Sequence, residues 1–303
     1  MSGPVTARIA LLLTLPPLLW AGNAVVGRAL VGTVPPLALN AMRWWLALAL
    51  LLPLGWRALR APGEITQRWK PLALLALTGV GSYNALQYLA VQTSTPLNVT
   101  LIASSSPVWM IAVGRLFYGE HPTGRQLAGA GLSLAGVLLV ISRGSVETLL
   151  QVRLVAGDLY MLVAVALWAG YSWMLARPPA SMRPGQRPAW DWSELLIVQV
   201  LFGVLWASAG AGLEATLAPQ PVQWSAGLAA ALLYVALGPS ILAYRFWGLG
   251  VATVGPAVAA LFSNLTPLFA ALMSAAWLGD RPAGYHVVAF VLIAAGIGVS
   301  TRR

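Results

Sequence analysis

The chain has 303 residues, of which 59% are hydrophobic and 9% charged, and its formal net charge is +10. A soluble domain has about a quarter charged residues, and so few charges cannot cover a surface that faces water, so the outer surface must face lipid. The chain contains no cysteine, which excludes a disulfide framework and a thiolate metal site. Its two histidines, His121 and His286, lie far apart in sequence, so we predict neither a metal nor a cofactor.

Ten apolar runs have about the length that a membrane-spanning helix needs, roughly 20 residues. They predict an all-α integral membrane protein whose longest connection, 177–190, is a polar linker between two halves. The first run could be mistaken for a signal peptide, but its apolar core is too long and contains Pro16 and Pro17, so we expect a membrane helix. The predicted spans are 8–31, 35–55, 71–92, 95–116, 124–142, 155–176, 192–212, 224–247, 253–277 and 282–300.

The second span contains a charged residue, Arg43, a third to half of the way along it. An unpaired guanidinium is costly at that depth, and no span offers a carboxylate in mid-membrane to neutralise it. Either Arg43 meets a carboxylate of the substrate, or it has a structural role, binding helix carbonyls at a bend or extending to the membrane surface.

The third span carries the polar and aromatic motif SYNALQY. Tyr83 and Gln87 are one helical turn apart, as are Asn84 and Tyr88, so each pair shares a face of the helix. Polar side chains are costly inside the bilayer, and we therefore take these positions as candidates for a binding site.

The fourth and ninth spans each place small polar residues before a proline. Asn98, Thr100 and Ser104 to Ser106 precede Pro107, whereas Ser263, Asn264 and Thr266 precede Pro267. Such a cluster can loosen a helix and expose its carbonyls to a cavity, although small polar residues also form hydrogen bonds between helices. For a single serine we favour the second interpretation, and for the two clusters together we predict that they line a pathway.

Several aromatic residues inside the spans could form a box around a planar or apolar side chain, while Trp56, Trp69, Trp190 and Trp224 lie at span ends and are expected to be interfacial anchors. Prolines inside spans remove backbone hydrogen bonds and are expected to bend or hinge the helices. The predicted hinges are Pro16, Pro17, Pro107, Pro239 and Pro267. The candidate substrate-binding residues are Trp20, Asn23, Tyr83, Asn84, Gln87, Tyr88, Ser104, Ser105, Trp168, Tyr171, Tyr244, Ser263 and Asn264.

The basic residues indicate an orientation in the membrane. With the N-terminus inside, the inner connections collect most of the arginines, and the outer ones have only Arg28, Arg143, Arg153 and Arg281. This asymmetry predicts that both termini are cytoplasmic. The basic residues lie in short stretches between apolar runs, and no basic patch is interleaved with aromatics, so no nucleic-acid partner is predicted.

An internal repeat divides the chain into two halves, 1–148 and 149–303. A shift of 160 residues aligns TPLNVTLIASSSPVWMIAVGRLFYGEHPTGRQLAGAGLSLAG with GPAVAALFSNLTPLFAALMSAAWLGDRPAGYHVVAFVLIAAG, with matched prolines, glycines and acidic residues. A shift of 148 residues aligns LWAG, which begins at Leu19, with LWAG beginning at Leu167. Each half holds five spans, an odd number, so the two halves enter the membrane from opposite sides and form an inverted repeat.

The paired LWAG motifs, the stretch from Pro36 to Trp44, and the pairs SPVWM…YGEHPTGRQLAGAGL and TPLFA…LGDRPAGYHVVAFVL resemble the EamA domains of the drug/metabolite transporter superfamily. Within it, the sequence is most similar to bacterial aromatic amino-acid exporters of the YddG type. The resemblance implies two pseudo-symmetric bundles in which four helices of each half line a central cavity. Family members often have arginine at the place of Arg43 whatever their substrate, which favours the structural role.

We therefore expect a carrier in the bacterial inner membrane that exports amino acids, aromatic and other apolar ones, by alternating access. The substrate identity comes mainly from the resemblance. The acidic residues fall in loops or near helix ends, and proton-coupled carriers usually need a titratable group in the pathway, so a facilitative carrier is expected. The acidic residues are Glu64, Glu120, Glu147, Asp158, Asp191, Glu194, Glu214 and Asp280.

Other classes of function have less support. Efflux of lipophilic cations or other metabolites, proton-coupled or not, is the main alternative, although cation extruders often place a carboxylate in the cavity. No HExxH, GxSxG or P-loop motif is present, which disfavours an enzyme and an ATP-driven pump. The interrupted helices favour a carrier over a channel. The expected partners are an amino acid and the lipid bilayer; GxxxG-like patterns are explained as well by internal packing as by dimerisation, so a monomer is the expectation.

Overall fold

The computed structural model describes residues 5–94, 96–278 and 284–301, and in these ranges the chain forms helices and no strand. Two π-helical segments, Leu77–Ser82 and Ala236–Leu242, interrupt longer helices. The α-helices are α1 (Ala7–Ala29), α2 (Pro36–Leu59), α3 (Pro62–Thr66), α4 (Trp69–Ala76), α5 (Tyr83–Thr93), α6 (Pro96–Ser104), α7 (Ser106–Tyr118), α8 (Gly124–Ile141), α9 (Val146–Leu150), α10 (Ala156–Ala176), α11 (Trp192–Leu217), α12 (Ala226–Val235), α13 (Ala243–Val254), α14 (Pro256–Ser263), α15 (Thr266–Leu278) and α16 (Gly284–Thr301).

Eight helical segments in the described ranges are long and apolar enough to cross a membrane, and α6 with α7, bent by 42° at their junction, is a ninth candidate. The predicted third span corresponds to the helical stretch from α4 to α5, which is not among these candidates. The chain is a multi-pass membrane protein, and the observed helices follow the other nine predicted spans closely.

Local sequence fixes where several helices begin. The Thr6 hydroxyl accepts a hydrogen bond from the Ile9 N–H (3.3 Å) and caps α1. Asp191 and Glu194 form a capping box at the start of α11, in which each carboxylate accepts a backbone N–H of the other residue. These caps satisfy N–H groups that have no partner inside the helix.

The chain has two helix breaks, one between α6 and α7 and one between α14 and α15. The two breaks lie about 160 residues apart in sequence, and so do the two π segments. The α6–α7 junction lies around Ser105, whereas α14 ends at Ser263 and α15 begins at Thr266. The π segments are likewise offset by about 160 residues. At the first junction, Pro107 lacks an N–H donor and disfavours helical geometry at the residue before it, which explains the bend.

The two predicted halves pack against each other through equivalent helices. α2 packs lengthwise against α11, and α8 against α16, so the second and fifth long helices of one half contact their counterparts in the other. α8 and α16 approach closely because glycines face each other: a Cβ at Gly129 would lie 2.5 Å from the Gly296 carbonyl oxygen, and a Cβ at Gly296 equally close to that of Gly129. Only hydrogen fits at either position.

Two expectations are modified, and one set of residues cannot be compared. Trp190 is 8% exposed and packs into the protein, so it is not an interfacial anchor, whereas Trp56, Trp69 and Trp224 are exposed. α1 continues through Pro16 and Pro17 without a break, so these two prolines do not interrupt the helix. Asp280 and Arg281 lie outside the described residues.

Candidate functional site

A cavity opens between the helices of the two halves, with about 760 Å³ of empty space when the solvent region at its opening is included. Its lining residues lie in the second half of α1, in α5, at the start of the bent pair α6–α7, and in α10, α13, α14 and α15. The lining residues of α1, α5 and α6 lie toward the end of the bundle at which α1 ends, whereas those of α10, α13 and α14 lie near the middle of their spans. It is lined by Trp20, Asn23, Ala24, Tyr83, Asn84, Gln87, Val99, Thr100, Ala103, Ser104, Ser106, Trp168, Tyr244, Ser263, Thr266 and Pro267.

Trp168 of α10 is the centre of an aromatic cluster at this cavity. Its ring lies 5.3 Å from that of Trp20, 5.2 Å from that of Tyr83 and 5.5 Å from that of Tyr244, measured between centroids. Tyr171 stacks on it at 5.0 Å. Edge-to-face and offset contacts at these distances are favourable, so the cluster forms a rigid aromatic wall that draws on both halves.

The π segments supply acceptors for this cluster. The Tyr244 hydroxyl donates to the Gly79 carbonyl in the first segment (2.7 Å), and the Trp20 Nε1–H donates to the Pro239 carbonyl in the second (3.2 Å). A π turn shifts the regular helical hydrogen bonds and releases carbonyls for other partners. Each half thus holds an aromatic ring of the other half in place.

Besides the aromatic rings and four apolar residues, Ala24, Val99, Ala103 and Pro267, the lining consists of amides and hydroxyls. Asn23, Asn84 and Gln87 contribute amides, and Thr100, Ser104, Ser106, Ser263 and Thr266 contribute hydroxyls. None of the described residues that line the cavity carries a carboxylate, an ammonium or a guanidinium group. Such a lining can hold a neutral or zwitterionic solute by hydrogen bonds and by contact with flat apolar surfaces.

Arg43 is fully buried and lies behind this lining. Its Nη1 donates to Asn23 Oδ1 (3.2 Å) and to the Tyr88 hydroxyl (2.9 Å), and its Nε and Nη2 donate to Ser240 Oγ (3.0 and 2.7 Å). Tyr88 in turn donates to Asn23 Oδ1 (2.9 Å). Within the described ranges no carboxylate lies within 4 Å of the guanidinium, which neutral side chains solvate instead.

This network answers part of the question that the sequence left open. Arg43 neither binds helix carbonyls nor extends to the membrane surface, because side chains from α1, α5 and the second π segment surround it. Through Arg43, α2 is linked to α1 and α5 of the first half and to the second π segment, which belongs to the second half.

The structure brings together nine of the thirteen residues that sequence reasoning selected. The other four do not line the cavity: Tyr88 bonds to Arg43, Tyr171 donates to Gln199 Oε1 (3.1 Å), Ser105 Oγ donates to the Ile102 carbonyl (2.6 Å), and Asn264 Nδ2 donates to Ser133 Oγ (2.9 Å). Ser106, Thr100 and Thr266 also line the cavity. They were recognised as members of the polar clusters before the prolines but were not selected as binding residues. Of the predicted hinges, Pro267 lines the cavity and Pro239 lies in a π segment, whereas Pro107 lies in the first turn of α7.

Side chains pack across the opposite end of the bundle. Tyr118 at the end of α7 stacks on Trp173 of α10, with ring centroids 5.0 Å apart, and Trp173 Nε1–H donates to the Met110 carbonyl (2.7 Å). Arg177 pairs with Glu120 at the same end. These contacts join the two halves on the side away from the cavity.

The chain matches the model of the EamA-like transporter family at residues 7–142 and again at 155–302. It is 28% identical over 301 residues to an uncharacterized transporter of Archaeoglobus fulgidus, covering 99% of each chain. It is 22% identical over 285 residues to the aromatic amino acid exporter YddG of Ancylobacter novellus, covering 94% of this chain and 93% of that one. A crystal structure of 20% identity matches 98% of each chain with a TM-score of 0.75 and has the same fold.

Proposed function

Because the chain belongs to the EamA-like transporter family, we propose that it is a facilitative carrier that exports amino acids, aromatic and other apolar ones, by alternating access. The observation that carries this proposal is the lining of the cavity: clustered aromatic rings, several amides and hydroxyls, and no charged group among the described lining residues. Aromatic walls suit planar or apolar side chains, and the polar walls suit a zwitterionic backbone. A relative that shares most of its length with the chain is named as an aromatic amino acid exporter.

The proposed architecture is two inverted five-helix repeats, 1–148 and 149–303, in ten spans. Three observations support it. The family model matches twice, once in each half; the breaks and π segments recur at one interval; and α2 and α8 pack against their counterparts α11 and α16. Two pseudo-symmetric halves around one cavity allow its open face to change by exchange of their conformations. The cavity is complete within one chain, which supports a monomer.

We propose that both termini are cytoplasmic and that the membrane is the bacterial inner membrane. Cation–aromatic pairs support this orientation: Arg60 lies over Trp56 (3.6 Å), and Arg245 over Trp192 (4.1 Å), both at the end of the bundle where α1 begins. Basic residues are in excess on the cytoplasmic side of membrane proteins, whereas tryptophans are enriched at both membrane interfaces, so the two arginines carry this argument. In this orientation the part of the cavity formed by α1, α5 and α6 lies toward the outer face, and the Tyr118–Trp173 stack lies at the inner face.

The test is solute flux into proteoliposomes that contain only this protein. Labelled phenylalanine, tryptophan, threonine and methyl viologen would be supplied with and without a proton gradient, against protein-free liposomes. We expect saturable amino-acid flux that follows the solute gradient and is independent of pH, because the described lining contains no carboxylate or histidine. Flux of methyl viologen alone, or flux only with a proton gradient, would replace this proposal with cation or metabolite efflux.

A further inference from the structure

Arg43 sets the direction of the hydrogen bonds around it. A guanidinium has only N–H donors and accepts no hydrogen bond, so Asn23 must turn its amide oxygen toward Arg43. That oxygen, Oδ1, accepts from Arg43 Nη1 (3.2 Å) and from the Tyr88 hydroxyl (2.9 Å). The amide nitrogen lies on the opposite side of the group from its oxygen, so Asn23 Nδ2 points away from Arg43.

Gln87 of α5 lies on that other side of Asn23. Asn23 Nδ2 donates to Gln87 Oε1 over 3.5 Å, a long hydrogen bond. The reverse orientation of Gln87 would place the N–H groups of two amides against each other, so this contact fixes the Gln87 amide as well. The orientation that Arg43 imposes is thus passed through Asn23 to Gln87.

The Nε2 group of Gln87 is the end of this chain of hydrogen bonds. It has no partner among the described residues, and it is not one of the buried polar atoms that lack a partner. Gln87 itself is partly exposed and lines the cavity, so its N–H groups are available to a ligand there. A group of donors binds an acceptor, and a carboxylate is a strong acceptor because its oxygens are charged. The buried positive charge of Arg43 also favours an anion at this place.

Aromatic rings lie one helical turn away on the same two helices. Trp20 precedes Asn23 by three residues on α1. Tyr83 precedes Gln87 by four residues on α5. Residues at these spacings are neighbours on one face of a helix, and all four line the cavity. A solute whose carboxylate binds Gln87 therefore has two aromatic residues about 5 Å away along the helices, within reach of its side chain.

We propose that the Gln87 amide binds the carboxylate of the substrate, and that Arg43 is a positioning residue for it. Arg43 fixes this amide as a donor through Asn23 and does not touch the solute. This inference rests on the proposed amino-acid transport. It explains how a cavity whose described lining has no charged group distinguishes an amino acid from an apolar molecule of the same shape.

The test measures binding to purified protein in lipid nanodiscs. The ligands are phenylalanine, 3-phenylpropionate, which lacks the ammonium group, and phenethylamine, which lacks the carboxylate. Gln87→Met keeps the length of the side chain and removes its donors. This variant is expected to bind phenylalanine and phenylpropionate about tenfold more weakly, equivalent to about 1.4 kcal/mol, and to bind phenethylamine as the wild type does.

Asn23→Asp tests the positioning role. An aspartate still accepts hydrogen bonds from Arg43 and Tyr88, so the variant is expected to fold, but its second oxygen cannot donate to Gln87. The Gln87 amide then turns its nitrogen toward the aspartate and its oxygen toward the cavity. Weaker binding of phenylalanine and phenylpropionate is expected, with no loss for phenethylamine. A purely structural role would not separate the three ligands.

Gln92→Met is the matched control, since Gln92 lies on the same helix, is exposed and does not line the cavity; its affinities should equal those of the wild type. An equal loss for all three ligands in Gln87→Met, the same loss in the control, or undiminished binding of phenylpropionate by Asn23→Asp overturns the inference. Wild-type transport of phenylalanine with no loss in either variant overturns the inference and leaves the proposed function intact. If the wild type neither binds nor transports any amino acid, the proposed function fails, and the inference with it.

Discussion

Trp20 and Trp168 meet edge to face, with ring centroids 5.3 Å apart and ring planes at 89°. They occupy the same place in the two LWAG motifs, 148 residues apart in sequence, and the fold brings these equivalent positions into contact at the cavity. Because each ring belongs to a different half, the two rings would separate if the halves moved apart. The distance between Trp20 and Trp168 is therefore a measure of how far the cavity rearranges.

Trp20→Ala should weaken the binding of tryptophan and phenylalanine about tenfold and that of threonine much less, because an aromatic contact contributes about 0.5–1.5 kcal/mol beyond the apolar area that it buries. The measurement is competition binding in nanodiscs. Trp224→Ala, which removes a ring that is 70% exposed and does not line the cavity, should bind all three solutes as the wild type does. A loss of equal size for threonine would assign Trp20 to packing.

Arg43→Gln should lower the free energy of unfolding by about 3 kcal/mol, because a charged group that donates several hydrogen bonds is lost and its buried partners are left unpaired. Thermal unfolding in detergent measures this change. Arg28→Gln removes an exposed arginine at the end of α1 and should leave the melting temperature unchanged. If Arg43→Gln melted like the wild type but no longer bound phenylalanine, Arg43 would bind the substrate carboxylate.

Asp191→Ala should cost about 1 kcal/mol at neutral pH, since the carboxylate caps α11. Partial burial raises the pKa of Asp191, but hydrogen bonds from Glu194 and Ser193 and the charge of Arg57 outweigh it, so that the pKa is lowered overall. A lowered pKa in the folded state stabilises the protein above about pH 4, and this contribution is lost as the pH falls through the folded-state value. The stability difference between wild type and variant should therefore narrow in acid.

The control for this prediction is Glu147→Ala, which removes an exposed carboxylate at the start of the short helix α9. Its stability should match that of the wild type at each pH. A difference for Asp191→Ala that stays constant from pH 7 to pH 3 would contradict the assigned role of the charge.

Gly129→Ala should destabilise the protein by about 1–3 kcal/mol, because the added methyl group would press on the backbone of α16 where the two helices touch. Gly131→Ala, two residues later on α8, adds the same group where no atom lies within 4 Å, and should be neutral or slightly stabilising. Thermal unfolding of the two variants side by side checks this. Equal melting temperatures would show that α8 and α16 can separate without cost.

Hydropathy was sufficient to predict most of the helices, because the length of an apolar run is a strong signal: the predicted span 155–176 became α10, and 124–142 became α8. The π segments were not predictable, since a glycine-containing stretch and a proline-containing stretch share no pattern that distinguishes them from an α-helix.

The types of residue at the site were predicted better than the directions in which their side chains turn. Each residue along a helix turns by about 100°, and a break resets that angle by an amount that sequence does not encode. Ser105 and Ser106 are therefore equally good candidates in the sequence, yet of the two only Ser106 is among the residues that line the cavity. Tyr88 was selected for sharing a helix face with Asn84, but the buried charge of Arg43 binds its hydroxyl.

The absence of charge from the described cavity lining has an electrical consequence. A membrane potential of 100 mV does about 2.3 kcal/mol of work on each elementary charge that crosses the membrane. The zwitterionic substrate that we propose has no net charge, and the described lining of the cavity adds none, so neither the solute nor this lining would move charge through the field. Under the proposed function, voltage would then neither drive nor oppose transport, and the concentrations of the solute on the two sides of the membrane would set its direction.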